Sequence, residues 1–302
     1  MADLDDRSPL SASVAAADPP TAAEKGRTAW ARALLAAHPV LEGHAELPPS
    51  AGPEELPAAG TAEVGARFWS LLVDPEEGVI GTLRRIDAAR SLVAARPESL
   101  CLARTTAEIA RARRSGRVAA VLGPVGWTAL GGSGATLRAY RALGVRAVNL
   151  TRFDRFAREA VREMNRVGLA VDLSGADPDT VRRALAATRA PALLTRAAPE
   201  DLPDDVLRLL GGNGAVCMVP VAAEPHATAD VLDRVRAHAG PHGVGLSRAL
   251  SPGLGYVPLL AELLRRGWSA PELVGLAHAN VTRALRETEY LARGRRARPA
   301  AA

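Results

Sequence analysis

The 302-residue chain contains few lysine, cysteine and aromatic residues. Lys25 is the only lysine, Cys101 and Cys217 are the only cysteines, and Phe, Trp and Tyr together make up 3%. Two cysteines are too few for a disulfide framework or a cysteine-based zinc site. No apolar run approaches the roughly 18 residues of a membrane-spanning helix, and the acidic N-terminus lacks the basic and apolar blocks of a secretory signal. We therefore predict a cytoplasmic protein without a membrane partner.

The positive charge of the chain is carried almost entirely by arginine. The net charge is +5 and the pI is about 9.9. A basic balance can indicate nucleic-acid binding, but these arginines are spread over amphipathic segments and aromatic residues are scarce. The pattern favours a solvated surface, and we predict no nucleic-acid partner.

Short apolar runs rich in β-branched residues alternate with segments of helical periodicity. The strand candidates are residues 39–44, 68–73, 118–125, 145–151, 169–174, 192–195, 215–221 and 244–246. Eight strands with helical segments between most of them predict an α/β fold, and the count favours a closed (β/α)8 TIM barrel over an open sheet. We predict one barrel domain over residues 23–292, a disordered leader at 1–22 and a basic disordered tail at 293–302.

A histidine and a carboxylate stand two residues apart at the end of the first strand candidate. Residues i and i+2 of a strand point to the same face, so we expect His44 and Glu46 to lie side by side. In such barrels, function sits at the C-terminal ends of the strands. One imidazole and one carboxylate make half of a metal site. The two side chains can hold one ion, or they can form only an imidazole–carboxylate hydrogen bond.

Several ordered segments resemble those of a known enzyme family. Residues 38–48, H-P-V-L-E-G-H-A-E-L-P, resemble H-P-V-(I/V)-D-G-H-N-D-L-P, and residues 65–70, G-A-R-F-W-S, resemble G-x-Q-F-W-S. Residues 161–168, V-R-E-M-N-R-V-G, resemble V-R-E-M-N-R-L-G, and residues 171–174, V-D-L-S, resemble the start of V-D-L-S-H. From about residue 28 to 292 the chain resembles the zinc dipeptidases of the renal (membrane) dipeptidase type, peptidase family M19. The resemblance implies a metallo-dependent-hydrolase-like barrel with two zinc ions, which hydrolyses dipeptides through a metal-bridging hydroxide.

The resemblance also implies where zinc ligands should stand. His44 matches the first histidine, and Glu46 stands where the family has aspartate. The remaining ligand positions, a bridging glutamate, two histidines and an aspartate, fall on Val125, Gly175, Arg196, and Arg248 or Ala249. The family's substrate-contacting histidine falls on Arg152, and its carboxylate-binding arginine falls on Glu200.

These replacements predict a degenerate site. Valine and glycine offer no ligand, and arginine is a permanent cation that repels a metal. We therefore expect His44 and Glu46 to be remnants of a dinuclear zinc site, and we expect no cofactor and little or no activity. The alternative is an active metallodipeptidase with a remodelled site at His44 and Glu46, and zinc is expected only in that case.

Four arginines are predicted near the strand ends: Arg67, Arg152, Arg196 and Arg248. Guanidinium groups bind carboxylates and phosphates through paired hydrogen bonds. We therefore predict a pocket for a small anionic or peptide-like ligand. In the alternative interpretation these arginines pair with Glu46, Asp172 and Glu200 and simply fill the pocket. The family's tendency to dimerise adds a protein partner as a further expectation, either as a homodimer or by pairing with an active dipeptidase.

Overall fold

Parallel strands alternate with helices through the residues that the computed structural model describes, 21–47, 63–249 and 255–296. The strands are β1 (Val40–Glu46), β2 (Val64–Leu71), β3 (Leu100–Leu102), β4 (Val118–Val125), β5 (Ala147–Asn149), β6 (Ala170–Asp172), β7 (Leu193–Leu194), β8 (Val216–Val221) and β9 (Val244–Ala249). The helices are α1 (Ala22–Ala37), α2 (Gly78–Ala94), α3 (Thr106–Arg114), α4 (Gly134–Leu143), α5 (Arg155–Val167), α6 (Pro178–Ala187), α7 (Asp204–Asn213), α8 (Pro225–Ala239), α9 (Val257–Arg265), α10 (Ala270–Val274) and α11 (Asn280–Arg296).

The strands form one parallel sheet that curls into a nearly closed barrel. Neighbouring strands follow the order β1-β2-β4-β5-β6-β7-β8-β9, and β3 pairs with the first half of β4. The two ends of this order, β1 and β9, pack against each other. Eight parallel strands with alternating helices confirm the predicted (β/α)8 TIM-barrel fold.

The elements follow from the local sequence. Strand β4 is an uninterrupted run of small and apolar residues, and every residue in it is buried, as expected of a strand covered on both faces. Helix α5 begins where the Asp154 carboxylate accepts a hydrogen bond from the Ala157 N–H. Its buried residues Ala157, Val161 and Met164 recur at helical spacing and form one apolar stripe.

Some predicted boundaries differ from the structure. Strands β5, β6 and β7 are shorter than the apolar runs that predicted them, and β3 was not predicted. Helix α1 begins at Ala22 with Thr21 as its N-cap, and α11 continues to Arg296, so the ends of the predicted leader and tail belong to helices. Residues 1–20 and 297–302 lie outside the described residues.

Across the described ranges no helix is long and apolar enough to cross a membrane. The cytoplasmic location stays a prediction.

The N-terminal end of the barrel holds a buried ion pair. Arg146, just before β5, donates to the Glu289 Oε1 of α11 at 2.9 Å and to the Arg104 carbonyl oxygen at 2.7 Å. Glu289 also accepts from the Thr106 N–H at 2.9 Å and from its hydroxyl at 3.0 Å. The two charged side chains are only 2% and 8% exposed. Burial lowers the pKa of Arg146 to about 10, so the guanidinium stays charged at neutral pH.

Candidate functional site

The C-terminal ends of the strands surround a cavity of about 540 Å³. Strands β5 to β8 and the segments that follow them supply most of its wall, and His44 of β1 adds to it. The charged or polar lining residues are His44, Asn149, Asp172, Ser174, Thr195, Arg196, Glu200 and Thr228. The apolar lining consists chiefly of Leu72, Pro124, Ala197, Val219, Pro220, Ala222, Ala227 and Val231. This is the end of the barrel at which a functional site was predicted.

A buried carboxylate joins three neighbouring strand ends on the floor of this cavity. Asp172, the last residue of β6, accepts from the Asn149 Nδ2 of β5 at 2.9 Å and from the Ser174 hydroxyl at 2.8 Å. It also accepts from the Thr195 N–H at 2.8 Å and from the Thr195 hydroxyl at 3.0 Å. We name Asn149, Asp172, Ser174 and Thr195 the floor cluster. Burial raises the pKa of the Asp172 carboxyl, and its four hydrogen bonds oppose that shift.

The floor cluster also fixes the backbone that carries Arg196. The Arg196 N–H donates to the Ser174 hydroxyl oxygen at 3.0 Å. The Ser247 hydroxyl of β9 donates to the Thr195 carbonyl oxygen at 2.9 Å. The side chain of Arg196 is exposed and lines the cavity. The start of the segment after β7 is therefore held from both sides, while the guanidinium itself extends towards the cavity and solvent.

His44 is a buried histidine with one unsatisfied ring nitrogen. The residue is 8% exposed, and its Nε2 is buried without a hydrogen-bond partner. Burial lowers the pKa of His44, and the nearby charges of Arg196 and Arg248 lower it further against the opposing effect of Glu46. The imidazole is therefore neutral at neutral pH, and it lies close to two cations.

His44 and Glu46 do not form the predicted hydrogen bond. Both lie at the end of β1, but the Glu46 side chain is exposed and no ion pair or hydrogen bond joins it to the ring. The pairing with β2 is also irregular between Glu42 and Ala45, so the simple alternation of a regular strand does not hold there. The interpretation of the two residues as a bonded pair was therefore wrong.

Arg67 occupies a different position from the one predicted. It lies within β2, is absent from the cavity lining, and donates from Nε to the Glu42 Oε2 of β1 at 2.5 Å. The Tyr256 hydroxyl donates to the other Glu42 oxygen at 2.6 Å. Glu42 and Tyr256 are part of this end of the barrel and were not singled out from the sequence. Arg67 is therefore engaged in an ion pair between two strands.

The remaining predicted arginines divide into two kinds. Arg152 is 67% exposed, its nearest acidic atom belongs to Asp154 at 3.9 Å, and it does not line the cavity. Arg196 lines the cavity, and Arg248 is exposed and close enough to His44 to affect its pKa. Among the described acids, none forms an ion pair with Arg196 or Arg248. The alternative in which these two arginines pair with Glu46, Asp172 and Glu200 is not what the described residues show.

Comparison with known proteins identifies the family. A model described as membrane dipeptidase (peptidase family M19) matches residues 28–157 and 152–299. The chain belongs to peptidase family M19. Dipeptidase 3 of Rattus norvegicus is 28% identical over 332 residues, covering 86% of this chain and 67% of the relative. Dipeptidase aclJ of Aspergillus oryzae is 29% identical over 323 residues, covering 87% and 76%. The solved structure of the probable dipeptidase PvdM from Pseudomonas aeruginosa superposes with a TM-score of 0.80 at 16% identity, covering 88% of this chain and 99% of that chain.

Val125 and Gly175, two positions that the sequence resemblance assigns to zinc ligands, carry no ligand side chain. Val125 ends β4 and is fully buried. Gly175 lines the cavity with a φ of 72°, and a Cβ built on it would have no atom within 4 Å. A histidine at this position would thus have room, but its backbone would be strained. Ala249 is the last residue of β9, and its side chain lies outside the description.

The described residues do not fit a two-zinc centre. In the described part of the chain, no three His, Cys, Asp or Glu side chains come together as a metal group. His44 offers one unpartnered nitrogen, but Arg196 and Arg248 bring positive charge towards the same ring. A dication beside two guanidinium groups and one imidazole would lack the ligands and the negative charge that zinc needs. The expectation that the chain carries no zinc stays a prediction.

Proposed function

We propose that this M19 barrel binds a small anionic or peptide-like ligand in the cavity at the strand ends, as a degenerate member of a zinc dipeptidase family. One observation carries the proposal. The Arg196 guanidinium lines the cavity without an ion pair to any described acid, close to a buried ring nitrogen of His44 that has no partner. A buried polar atom is normally partnered, and an exposed guanidinium without an ion pair to a described acid can pair with an anion, so these two groups beside one cavity support a ligand that binds both.

The chemistry of the two groups supports an anion. A guanidinium presents a planar fork of N–H donors that matches a carboxylate or phosphate. The Arg196 backbone is fixed through the Ser174 hydroxyl, which limits the positions that its side chain can reach. Arg248 adds a second positive charge near His44. An acidic or dipeptide-sized molecule in a cavity of about 540 Å³ would meet these groups at one end.

The alternative is hydrolysis of dipeptides with one metal ion at His44 and Glu46. The unpartnered Nε2 of His44 favours it, because a neutral imidazole nitrogen is a good zinc ligand. The exposed Glu46 is close enough to influence the pKa of His44. The neighbouring arginine charges weaken the alternative, since each raises the electrostatic cost of a dication at this ring.

The two functions are separated by measuring metal content, turnover and binding on one preparation. We expect protein from zinc-supplemented cultures to hold well under one equivalent of zinc by mass spectrometry, and to leave dipeptides intact. Calorimetry should detect binding of carboxylate ligands, and Arg196→Gln should weaken that binding. The control variant Arg90→Gln, which removes an exposed arginine of α2, should leave the binding unchanged.

Other outcomes would contradict the proposal in different ways. Two tightly bound zinc ions together with dipeptide turnover would show an active M19 enzyme and overturn it. One zinc ion with turnover that is abolished by His44→Gln would establish the alternative. Absence of binding by every carboxylate and phosphate probe would remove the ligand-binding function itself.

A further inference from the structure

The cavity has a polar floor whose hydrogen-bonding groups are already engaged. All four donors directed at Asp172 come from its own neighbours, and the Asn149 Nδ2 also donates to the Ser174 carbonyl oxygen at 2.9 Å. The Thr228 hydroxyl accepts from the Ala222 N–H at 2.9 Å. A ligand group that reaches this floor therefore finds few polar partners. A charged or hydroxyl-rich group placed there would lose water without adequate replacement, which is unfavourable.

An apolar wall beside the floor comes from β8 and α8. Val219 and Pro220 belong to β8, and Ala227 and Val231 belong to α8. Leu72 and Pro124 add apolar lining on the other side of the floor, at the ends of β2 and β4. A ligand that fills the cavity gains most by placing a hydrocarbon body against these side chains.

The charged groups limit how much negative charge the ligand can carry. Arg196 provides one guanidinium in the lining, and Arg248, the second cation near His44, is not among the lining residues, while Glu200 adds a negative charge to the lining. Glu46 is a second exposed acid near His44. One carboxylate can pair with Arg196, whereas a second or third negative charge on the ligand would face Glu200 or the apolar wall.

His44 adds a requirement for one neutral polar group. His44 lines the cavity, but its unpartnered Nε2 is buried, so a ligand reaches it only after a small shift of the ring. The nitrogen then donates or accepts a hydrogen bond according to the tautomer. An amide satisfies both cases, because it carries an N–H and a carbonyl. The ligand should therefore carry an amide close to its carboxylate.

We infer that the cavity selects monocarboxylates with an amide and an apolar body, the chemical class of N-acylated apolar amino acids, over phosphate and polycarboxylates. The inference rests on the proposed function and specifies its ligand. The carboxylate lies on Arg196, the amide on His44, and the apolar side chain against β8 and α8.

The test compares probes that each lack one of these parts. Calorimetry with N-acetyl-leucine should show binding, for both or for one enantiomer. N-acetyl-leucinamide, which keeps the body but loses the charge, should bind at least about tenfold more weakly, because charge-assisted hydrogen bonds are lost. Acetate, which has the charge but no body, should also bind at least about tenfold more weakly. Citrate and phosphate should bind more weakly than N-acetyl-leucine.

Two variants locate the parts of the ligand. Arg196→Gln should lower the affinity for N-acetyl-leucine to the affinity that the wild type has for N-acetyl-leucinamide. Ala227→Leu, which narrows the cavity at its apolar wall, should lower the affinity for N-acetyl-leucine about tenfold and leave the affinity for acetate unchanged. Both positions are exposed, so we expect both variants to fold, with Arg90→Gln as the matched control. Equal binding of the acid and the amide would overturn the role of Arg196.

The failure of this inference differs from failure of the proposed function. If phosphate or citrate binds more tightly than N-acetyl-leucine, and Arg196→Gln weakens that binding, the anion site stands and the ligand class is wrong. If none of the probes binds to the wild-type protein, the proposed function fails and this inference fails with it.

Discussion

The two ends of the barrel differ in whether their charged and buried polar groups have partners within the protein. At the N-terminal end, Arg146 and Glu289 are almost inaccessible, and their hydrogen bonds go to each other and to the chain around Arg104 and Thr106. At the C-terminal end, Arg196 extends into the cavity lining without an ion pair to a described acid, and His44 has an unpartnered nitrogen. A buried charge with an ion-pair partner can stabilise the fold, whereas a guanidinium without an ion pair to a described acid can pair with a ligand.

The difference shows why arginine content alone carries little functional information in this chain. Many arginines of the helices form surface pairs, such as Arg166 with Glu163 and Arg182 with Asp205. Arg67, in the middle of β2, is also paired. Arg196 differs from these paired arginines because it lines the cavity at the strand ends without an ion pair to a described acid.

The largest effect is expected from the same substitution made at each end. Arg146→Met leaves the buried Glu289 without its cation, and we expect it to lower the free energy of unfolding by about 3–5 kcal/mol. Arg196→Met removes an exposed, unpaired side chain and should change stability by no more than about 0.5 kcal/mol. Urea denaturation of both variants measures the difference. Equal losses at the two positions would contradict the division between a stabilising and a binding end.

The next effect concerns the floor cluster, the exception at the C-terminal end. Asp172→Ala leaves donors from Asn149, Ser174 and Thr195 unpaired, so we expect a loss of about 2–4 kcal/mol in the free energy of unfolding. Asp179→Ala, at an exposed carboxylate of α6, serves as the control and should cost far less. A loss for Asp172→Ala no greater than that of the control would show that the cluster does not stabilise the strand ends.

A histidine at the N-terminal end gives a pH-dependent prediction. His278 stacks on His38 and hydrogen-bonds to Arg113 at 3.1 Å, and burial, together with the nearby charge of Arg113, lowers its pKa to about 4. The unfolded chain therefore binds a proton near pH 6.5 while the folded protein does not, so stability should fall as the pH decreases from 6.5 to 4.

We expect His278→Gln to remove about 1–3 kcal/mol of this pH dependence. Denaturation of wild type and variant at a series of pH values between 7 and 4 measures it, with the exposed His226→Gln as control. Parallel curves for wild type and His278→Gln would show that this ring does not couple folding to protonation.

The smallest effect on stability is expected for ion pairs at the protein surface. Arg166 and Arg138 hold the pKa of Glu163 down at about 2. The stabilisation is complete above pH 4.5 and is lost as the pH falls towards 2, since the unfolded carboxylate protonates first. Because both arginines are about half exposed, Glu163→Gln should cost only about 0.5–1 kcal/mol at neutral pH, and less at high salt. A cost as large as that of Arg146→Met would remove the contrast between buried and surface pairs.

The fold could be predicted because its signal is spread along the whole chain. Strand β4 has the predicted limits, since eight successive small or apolar residues admit one interpretation. Strand β3 was missed because three residues, Leu100 to Leu102, are too few to show a pattern. Strands β5 to β7 are shorter than predicted because their apolar runs include buried residues on both sides of the regular ladder, such as Val145 and Leu150 around β5.

For the candidate site, the sequence predicted the location at the strand ends but not the contacts between its side chains. Ser174, Thr195 and Arg196 were recognisable as residues at strand ends, but their grouping around Asp172 depends on three strands being adjacent. Arg67 was assigned to the pocket because its ion-pair partner, Glu42, lies on a different strand and offers no signal in the local sequence. Tyr256 was missed for the same reason, since its contact with Glu42 spans most of the chain.

The left-handed backbone of Gly175 bears on any attempt to engineer catalysis into this barrel. A histidine placed there would have open space around its Cβ, but the φ of 72° would strain its backbone by about 1 kcal/mol or more. Val125 and Arg196 would need replacement at the same time, and no single step would yield a functional metal pair. Under the proposed function, point mutations of this protein should not produce hydrolysis through two zinc ions, and a redesign would have to transplant whole strand-end loops.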